Sequence, residues 1–140
     1  AWVPLGDVPI EVGGLIVLEG SHRFRQLDNY RSMDVDTACE NKEHQSELNA
    51  NGFPGFGAYA LSAEDVRKSL GSRWLTADFE MGDLLTFNIY LLHGSLDNAS
   101  RQFRMSSDSR YQLASDPVDE RWVGEHPPAH GGTMVKGMIC

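Results

Sequence analysis

The sequence predicts a mainly β fold, and three stretches carry that expectation. Residues 15–18, LIVL, form a short continuous apolar run between Gly13-Gly14 and Gly20-Ser21, the length and punctuation of a buried strand. Residues 84–92, LLTFNIYLL, are too short for a buried helix of usual length and carry Thr86, Phe87, Ile89 and Tyr90, types that suit a pleated, half-buried surface. Residues 103–111, FRMSSDSRY, follow after a polar turn and read as a further strand.

Taken in order, AWVPLGDV already has strand composition, with Trp2 and Val3 arriving without any leading turn or cap, so the chain reads as beginning in mid-fold. The simplest arrangement of this strand and LIVL is two strands joined by the Gly13-Gly14 turn. From residue 24 to about residue 45 the sequence is polar and without clean period, which predicts a long surface excursion, with a short helix over residues 38–48. NGFPGFGAY, residues 51–59, is loop composition with rings available to pack or to line a pocket. Ser62 as N-cap, Glu64 and Asp65 in the first turn, and Gly71 as the stop predict a short helix through VRKSL. Internal repeats and low-complexity tracts are absent from the sequence.

Bulk properties bound the function. A chain of 140 residues, 41% hydrophobic and 23% charged, has apolar material for one core. The net charge of −8, with no basic block, argues against a nucleic-acid partner, because phosphate binding needs clustered Lys and Arg. Cys39 and Cys140 lie far apart and make neither a disulfide framework nor a zinc spacing. With no apolar run long enough to span a bilayer and no signal-peptide pattern, the expectation is a soluble protein of the cytoplasm or another intracellular compartment.

Chemistry concentrates in GDLLTFNIYLLHGSLDNASRQFRMS, residues 82–106. Period-two alternation puts Leu85, Phe87, Ile89, Leu91 and His93 on one face, and Arg104, Ser106 and Asp108 together on a face of the next strand. A histidine at a strand end is, taken alone, more often a hydrogen-bonded structural residue than a ligand. An inward arginine raises the stakes, because a guanidinium away from water needs an anion and its planar fork suits a carboxylate held by two bonds. The bland partner for Arg104 would be one of the chain's own acids, Asp83 or Asp108. His126 and His130 share a spacing of four, but Pro127-Pro128 forbids the helix that would bring them together. His22, behind Gly20-Ser21, reads as a structural residue at a strand exit.

The segments AWVPLGDVPIEVGGLIVLEGSH and MGDLLTFNIYLLHGSLDNASRQFRMS resemble the C-terminal catalytic half of the phytanoyl-CoA dioxygenase family, non-haem iron(II), 2-oxoglutarate-dependent oxygenases. The GG-L-x-V-x-x-GSH and GD-L-x-F-x(5)-HGS-x-x-N-x(5)-R elements occur together and in order, and the polar middle matches poorly. The resemblance implies a double-stranded β-helix of jelly-roll, cupin-like type, present in part, with one or two short helices in an insertion. It makes residues 1–140 the C-terminal portion of a single oxygenase domain that hydroxylates a small organic substrate. It assigns His93 as the distal histidine of the iron site, Arg104 and Ser106 as partners of the far carboxylate of 2-oxoglutarate, and Ser95 and Trp2 as further cosubstrate-site residues. One element of the pattern is absent: none of the five histidines begins a His-x-Asp or His-x-Glu pair, the source of the other two metal ligands. The chain by itself is therefore expected to hold no metal and to be inactive alone, and a non-catalytic binding or structural module of the same fold stands as the alternative. A strand missing upstream of Trp2 would leave the edge from Trp2 to Val8 unpaired, and self-association through that edge is the expected consequence.

Overall fold

The computed structural model describes residues 1–32, 62–118 and 123–125. The chain divides into two units. The first, Ala1–Asp28 with Ala63–Gln112, contains every strand described here and the apolar core. Of the second, only residues 29–32, 62, 113–118 and 123–125 are described. They include most of a single helical turn, α1 (Asp28–Arg31), and a turn closed by the Asp116 amide on the Leu113 carbonyl at 3.0 Å. The helix expected over residues 38–48, the loop NGFPGFGAY, His126 and His130 lie outside the described residues.

The first unit is mainly β, with two antiparallel sheets. One pairs β1 (Trp2–Pro4) with β5 (Ser106–Asp108), Trp2 opposite Asp108 and Pro4 opposite Ser106. The other has the order β3-β2-β4, in which β2 (Leu15–Leu18) lies between β3 (Trp74–Leu75) and β4 (His93–Ser95). A central strand covered on both faces explains why LIVL is apolar without alternation: Leu15, Ile16 and Leu18 are all buried and Leu18 is 0% exposed. Trp2, Val8, Val12 and Val66 are buried with them. The Trp2 ring meets the Phe79 ring edge-on, centroids 5.0 Å apart.

The helix predicted behind Ser62 forms as α2 (Ala63–Leu70), and Gly71 ends it in the left-handed region at φ 66° with its amide on the Arg67 carbonyl at 3.0 Å. The Trp74 indole donates to the Ala63 carbonyl at 2.8 Å, and Trp74 stands opposite Leu18, so the start of α2 lies on the Leu18 side of the sheet. Arg73 holds the far end of β2 through two bonds to the Glu19 carboxylate, at 2.7 and 3.2 Å. That guanidinium keeps the Glu19 carboxyl below the ordinary glutamate range, through its hydrogen bond first and its charge second.

Three expectations are corrected. The first two strands are not neighbours: β1 and β2 belong to different sheets, and a 3-10 turn at Ile10–Val12 carries the chain between them. The run over residues 84–92 is not one strand. Leu85 makes an isolated bridge with Trp2, and the chain then turns at Asn88, whose side-chain oxygen accepts from the Tyr90 amide at 3.0 Å while its carbonyl accepts from Leu91 at 3.1 Å. A local side-chain-to-backbone bond thus overrides the alternation and leaves Ile89 84% exposed. The third concerns the edge at Trp2–Val8, which is covered within the chain. Trp2 exchanges both backbone hydrogen bonds with Leu85 on the side away from β5, Pro4 accepts from Gly82, and Val8 exchanges both with Phe79. Trp2, Pro4 and Val8 therefore leave no open edge of the expected kind for pairing with a second chain.

Candidate functional site

β4 opens with His93 rather than ending on it, and the residues before it are anchored at two points. The Leu92 carbonyl accepts from the Leu18 amide at 2.8 Å, and the Leu92 amide donates to the hydroxyl of Ser21, which is fully buried, at 2.8 Å. Ser21, in the GSH of the opening segment, therefore sets the entry of β4. The sequence signal for it was the polar side chain directly behind Gly20 at the exit of an apolar strand. Ser21→Ala would leave the Leu92 amide without this acceptor. It is expected to cost about 1–3 kcal/mol in urea unfolding, whereas a loss under about 0.5 kcal/mol, the range of a neutral surface substitution, would remove Ser21 from this role.

Across the β2–β4 ladder Leu15 faces Ser95 and Val17 faces His93, so His93 and Ser95 share one face, about 6.6 Å apart along the strand. Gly94 points to the other face, toward Ile16. The His93 ring is exposed and packs against Phe87, centroids 4.6 Å apart. Its Nδ1 lies 2.9 Å from the Leu91 carbonyl oxygen. A carbonyl only accepts, so this bond requires the proton on Nδ1 and leaves Nε2 of the neutral ring as the free lone pair.

Arg104 reaches the same face from the chain segment ahead of β5. Its Nη1 donates to the Gly13 carbonyl at 2.6 Å and to the Ser95 hydroxyl at 3.2 Å. Neither acid considered as its partner is used: Asp83 accepts from the Glu80 amide at 2.9 Å, and Asp108 lies 3.8 Å from Arg110. Among the described residues no carboxylate pairs with Arg104, and Nε and Nη2 make no hydrogen bond. A half-buried cation is thus held by a carbonyl and a hydroxyl with part of its fork uncommitted.

The residues picked out from the sequence fall into two groups. His93 and Ser95 share a face of β4, and Arg104 reaches that face through its bond to Ser95. Trp2 and Ser106 share the inner face of the other sheet, since Ser106 stands opposite Pro4 and Trp2 two residues before it, and Trp2 is 4% exposed. Among the described residues no hydrogen bond or ring contact ties Trp2 or Ser106 to the first group. Gly13 and Ser21 are the contributors that the sequence reading used only as punctuation.

The family model for phytanoyl-CoA dioxygenase matches residues 1–106, which include both groups. The chain belongs to the phytanoyl-CoA dioxygenase family. Among curated proteins it is similar to the 1-deoxypentalenic acid 11-beta-hydroxylases of Streptomyces arenae and Streptomyces exfoliatus, each 27% identical over 118 residues, 82% of this chain. The chain spans 35% of the length of these relatives. No solved structure matches it significantly. For a member of this family the donor set is the relevant test. Among the described residues no group of three His, Cys, Asp or Glu side chains could hold a metal ion, and the sequence contains no His-x-Asp or His-x-Glu. These residues offer His93 Nε2 as one donor and do not by themselves fit a three-ligand iron centre.

Proposed function

We propose that the protein is an iron(II)- and 2-oxoglutarate-dependent dioxygenase that hydroxylates a small organic substrate, and that residues 1–140 are the C-terminal portion of its oxygenase domain. The single observation that carries the reading is the Arg104 fork, acid-free among the described residues and hydrogen-bonded to Ser95 on the face that also bears His93. Family membership and two relatives named as hydroxylases support it. The two antiparallel sheets are, on this reading, two walls of a double-stranded β-helix.

Each residue then has a definite task. Arg104 takes the far carboxylate of 2-oxoglutarate, because an uncommitted guanidinium edge matches a carboxylate in charge and in geometry. His93 offers Nε2 to the metal, oriented by the Leu91 carbonyl behind Nδ1. The carbon chain of 2-oxoglutarate, four bonds of about 1.5 Å, extends about 5 Å, a span comparable with the two-residue step between His93 and Ser95. Ser95 contributes a hydroxyl beside the carboxylate, with Ser106 and Trp2 as further contacts for the cosubstrate.

The test is 2-oxoglutarate turnover by the intact protein with ferrous iron, followed as succinate release, with loss of turnover in His93→Ala. Binding of 2-oxoglutarate without turnover would favour a non-catalytic carboxylate-binding module, the reading favoured by the missing His-x-Asp/Glu pair. Neither binding nor turnover would reject both.

A further inference from the structure

We propose that Gly13 is a positioning residue for Arg104: its left-handed backbone aims a carbonyl at Nη1, so that the Nε–Nη2 edge is the one presented to a carboxylate. The inference rests on the reading of Arg104 as an anion holder and assigns which half of its fork does the work.

Gly13 closes the Ile10–Val12 turn at φ 86° and ψ 65°, its amide on the Ile10 carbonyl at 3.1 Å. That conformation is open to glycine and strained for residues with a Cβ. It turns the Gly13 carbonyl toward Arg104, and the resulting 2.6 Å bond is the shorter of the two that Nη1 makes. The space around Gly13 is as restrictive as its dihedrals. A Cβ there would lie 2.6 Å from the Leu96 carbonyl oxygen and 3.1 Å from the Asn98 amide nitrogen. The loop it would strike follows Ser95 directly and is tied to the same turn, by Leu96 to the Gly14 carbonyl at 3.0 Å and Ala99 to the Glu11 carbonyl at 2.9 Å. Gly13 therefore governs both acceptors of Nη1: its own carbonyl, and the Ser95 hydroxyl through the loop packed on it.

The consequence for the ligand is geometric. A guanidinium has five N–H donors in a rigid plane, and with Nη1 committed to the brace, Nε–H and one Nη2–H remain side by side in the spacing of a carboxylate's two oxygens. An unbraced Arg104 would keep its charge and lose that alignment, since a free arginine side chain has several rotamers to choose from. Gly13 acts without touching the ligand, so the diagnostic quantity is discrimination between ligands rather than affinity alone.

The experiment measures binding of two probes to the intact protein by calorimetry, 2-oxoglutarate and 2-oxobutyrate. The second keeps the keto-acid end and lacks the far carboxylate. Gly13→Ala is expected to lower the preference for 2-oxoglutarate over 2-oxobutyrate by about tenfold or more, the scale of one lost charge-assisted bond. Equal weakening of both probes would mean a general structural defect and would overturn the inference. Arg104→Ala runs beside it: if that variant keeps the preference, the anion-holder reading itself has failed, whatever Gly13 does. Should Gly13→Ala not fold, Arg104→Lys decides, because a single ammonium cannot occupy the brace and align with both carboxylate oxygens. Its preference should fall nearly as far as that of Arg104→Ala, and a preference retained in Arg104→Lys would overturn the inference.

Discussion

Arg104→Ala is expected to weaken 2-oxoglutarate binding by roughly 10- to 150-fold, the equivalent of about 1.5–3 kcal/mol for hydrogen bonds made by a charged donor. The direction follows from what Arg104 lacks. Its described partners are both neutral, the Gly13 carbonyl and the Ser95 hydroxyl, so its charge is uncompensated by any described carboxylate. A half-buried guanidinium in that position gains most from an incoming anion, because the anion supplies both charge and acceptors. The substitution also releases the Gly13 carbonyl, so a stability loss of about 1 kcal/mol should accompany it. Calorimetry on the intact protein separates the two effects, since a small stability change leaves the bound fraction of a folded protein untouched. Affinity unchanged within twofold would remove Arg104 from the carboxylate site.

How far the sequence reached depends on whether each feature is encoded locally. β2 was legible residue by residue, from Leu15 to Leu18, because a strand covered on both faces must be apolar throughout and glycines mark its two ends. α2 was legible for a similar reason, with the cap, acidic first turn and glycine stop that the sequence offers all inside the ten residues 62–71. The pairing of β1 with β5 was not: Trp2 and Asp108 are brought together by the whole intervening chain, and nothing in either segment names the other. The site divides along the same line. Arg104 and His93 announced themselves by residue type, and the half-burial of Arg104 and Ser106 against the 97% exposure of Phe103 follows the alternation read from the sequence. The acceptor of Arg104 was invisible because it is a backbone carbonyl, a group every residue carries. Only the glycine at residue 13 hinted that something special was required there.

Leu18→Ala is expected to destabilise the first unit by about 2–5 kcal/mol, while Ile89→Ala should change stability by less than about 0.5 kcal/mol. Leu18 sits at 0% exposure on the central strand, beside β3 and against the face toward which Gly94 points, so truncation leaves a cavity the surrounding strands cannot close. Ile89 looks equally apolar in sequence, and the alternation Leu85, Phe87, Ile89, Leu91 would place it in the core on the face of His93. The Asn88 turn instead holds it out at 84% exposure. The pair of substitutions therefore separates two architectures of the segment leading to His93. In a continuous strand both would cost several kcal/mol, whereas with a turn at Asn88 only Leu18 does. Urea unfolding of the two variants gives the answer as a difference in midpoint, and a loss above about 2 kcal/mol for Ile89→Ala would restore the strand and put Ile89 in the core. That result would also change the surroundings of His93, because in a continuous strand Phe87 would lie about 20 Å away along the chain and could not pack against the ring.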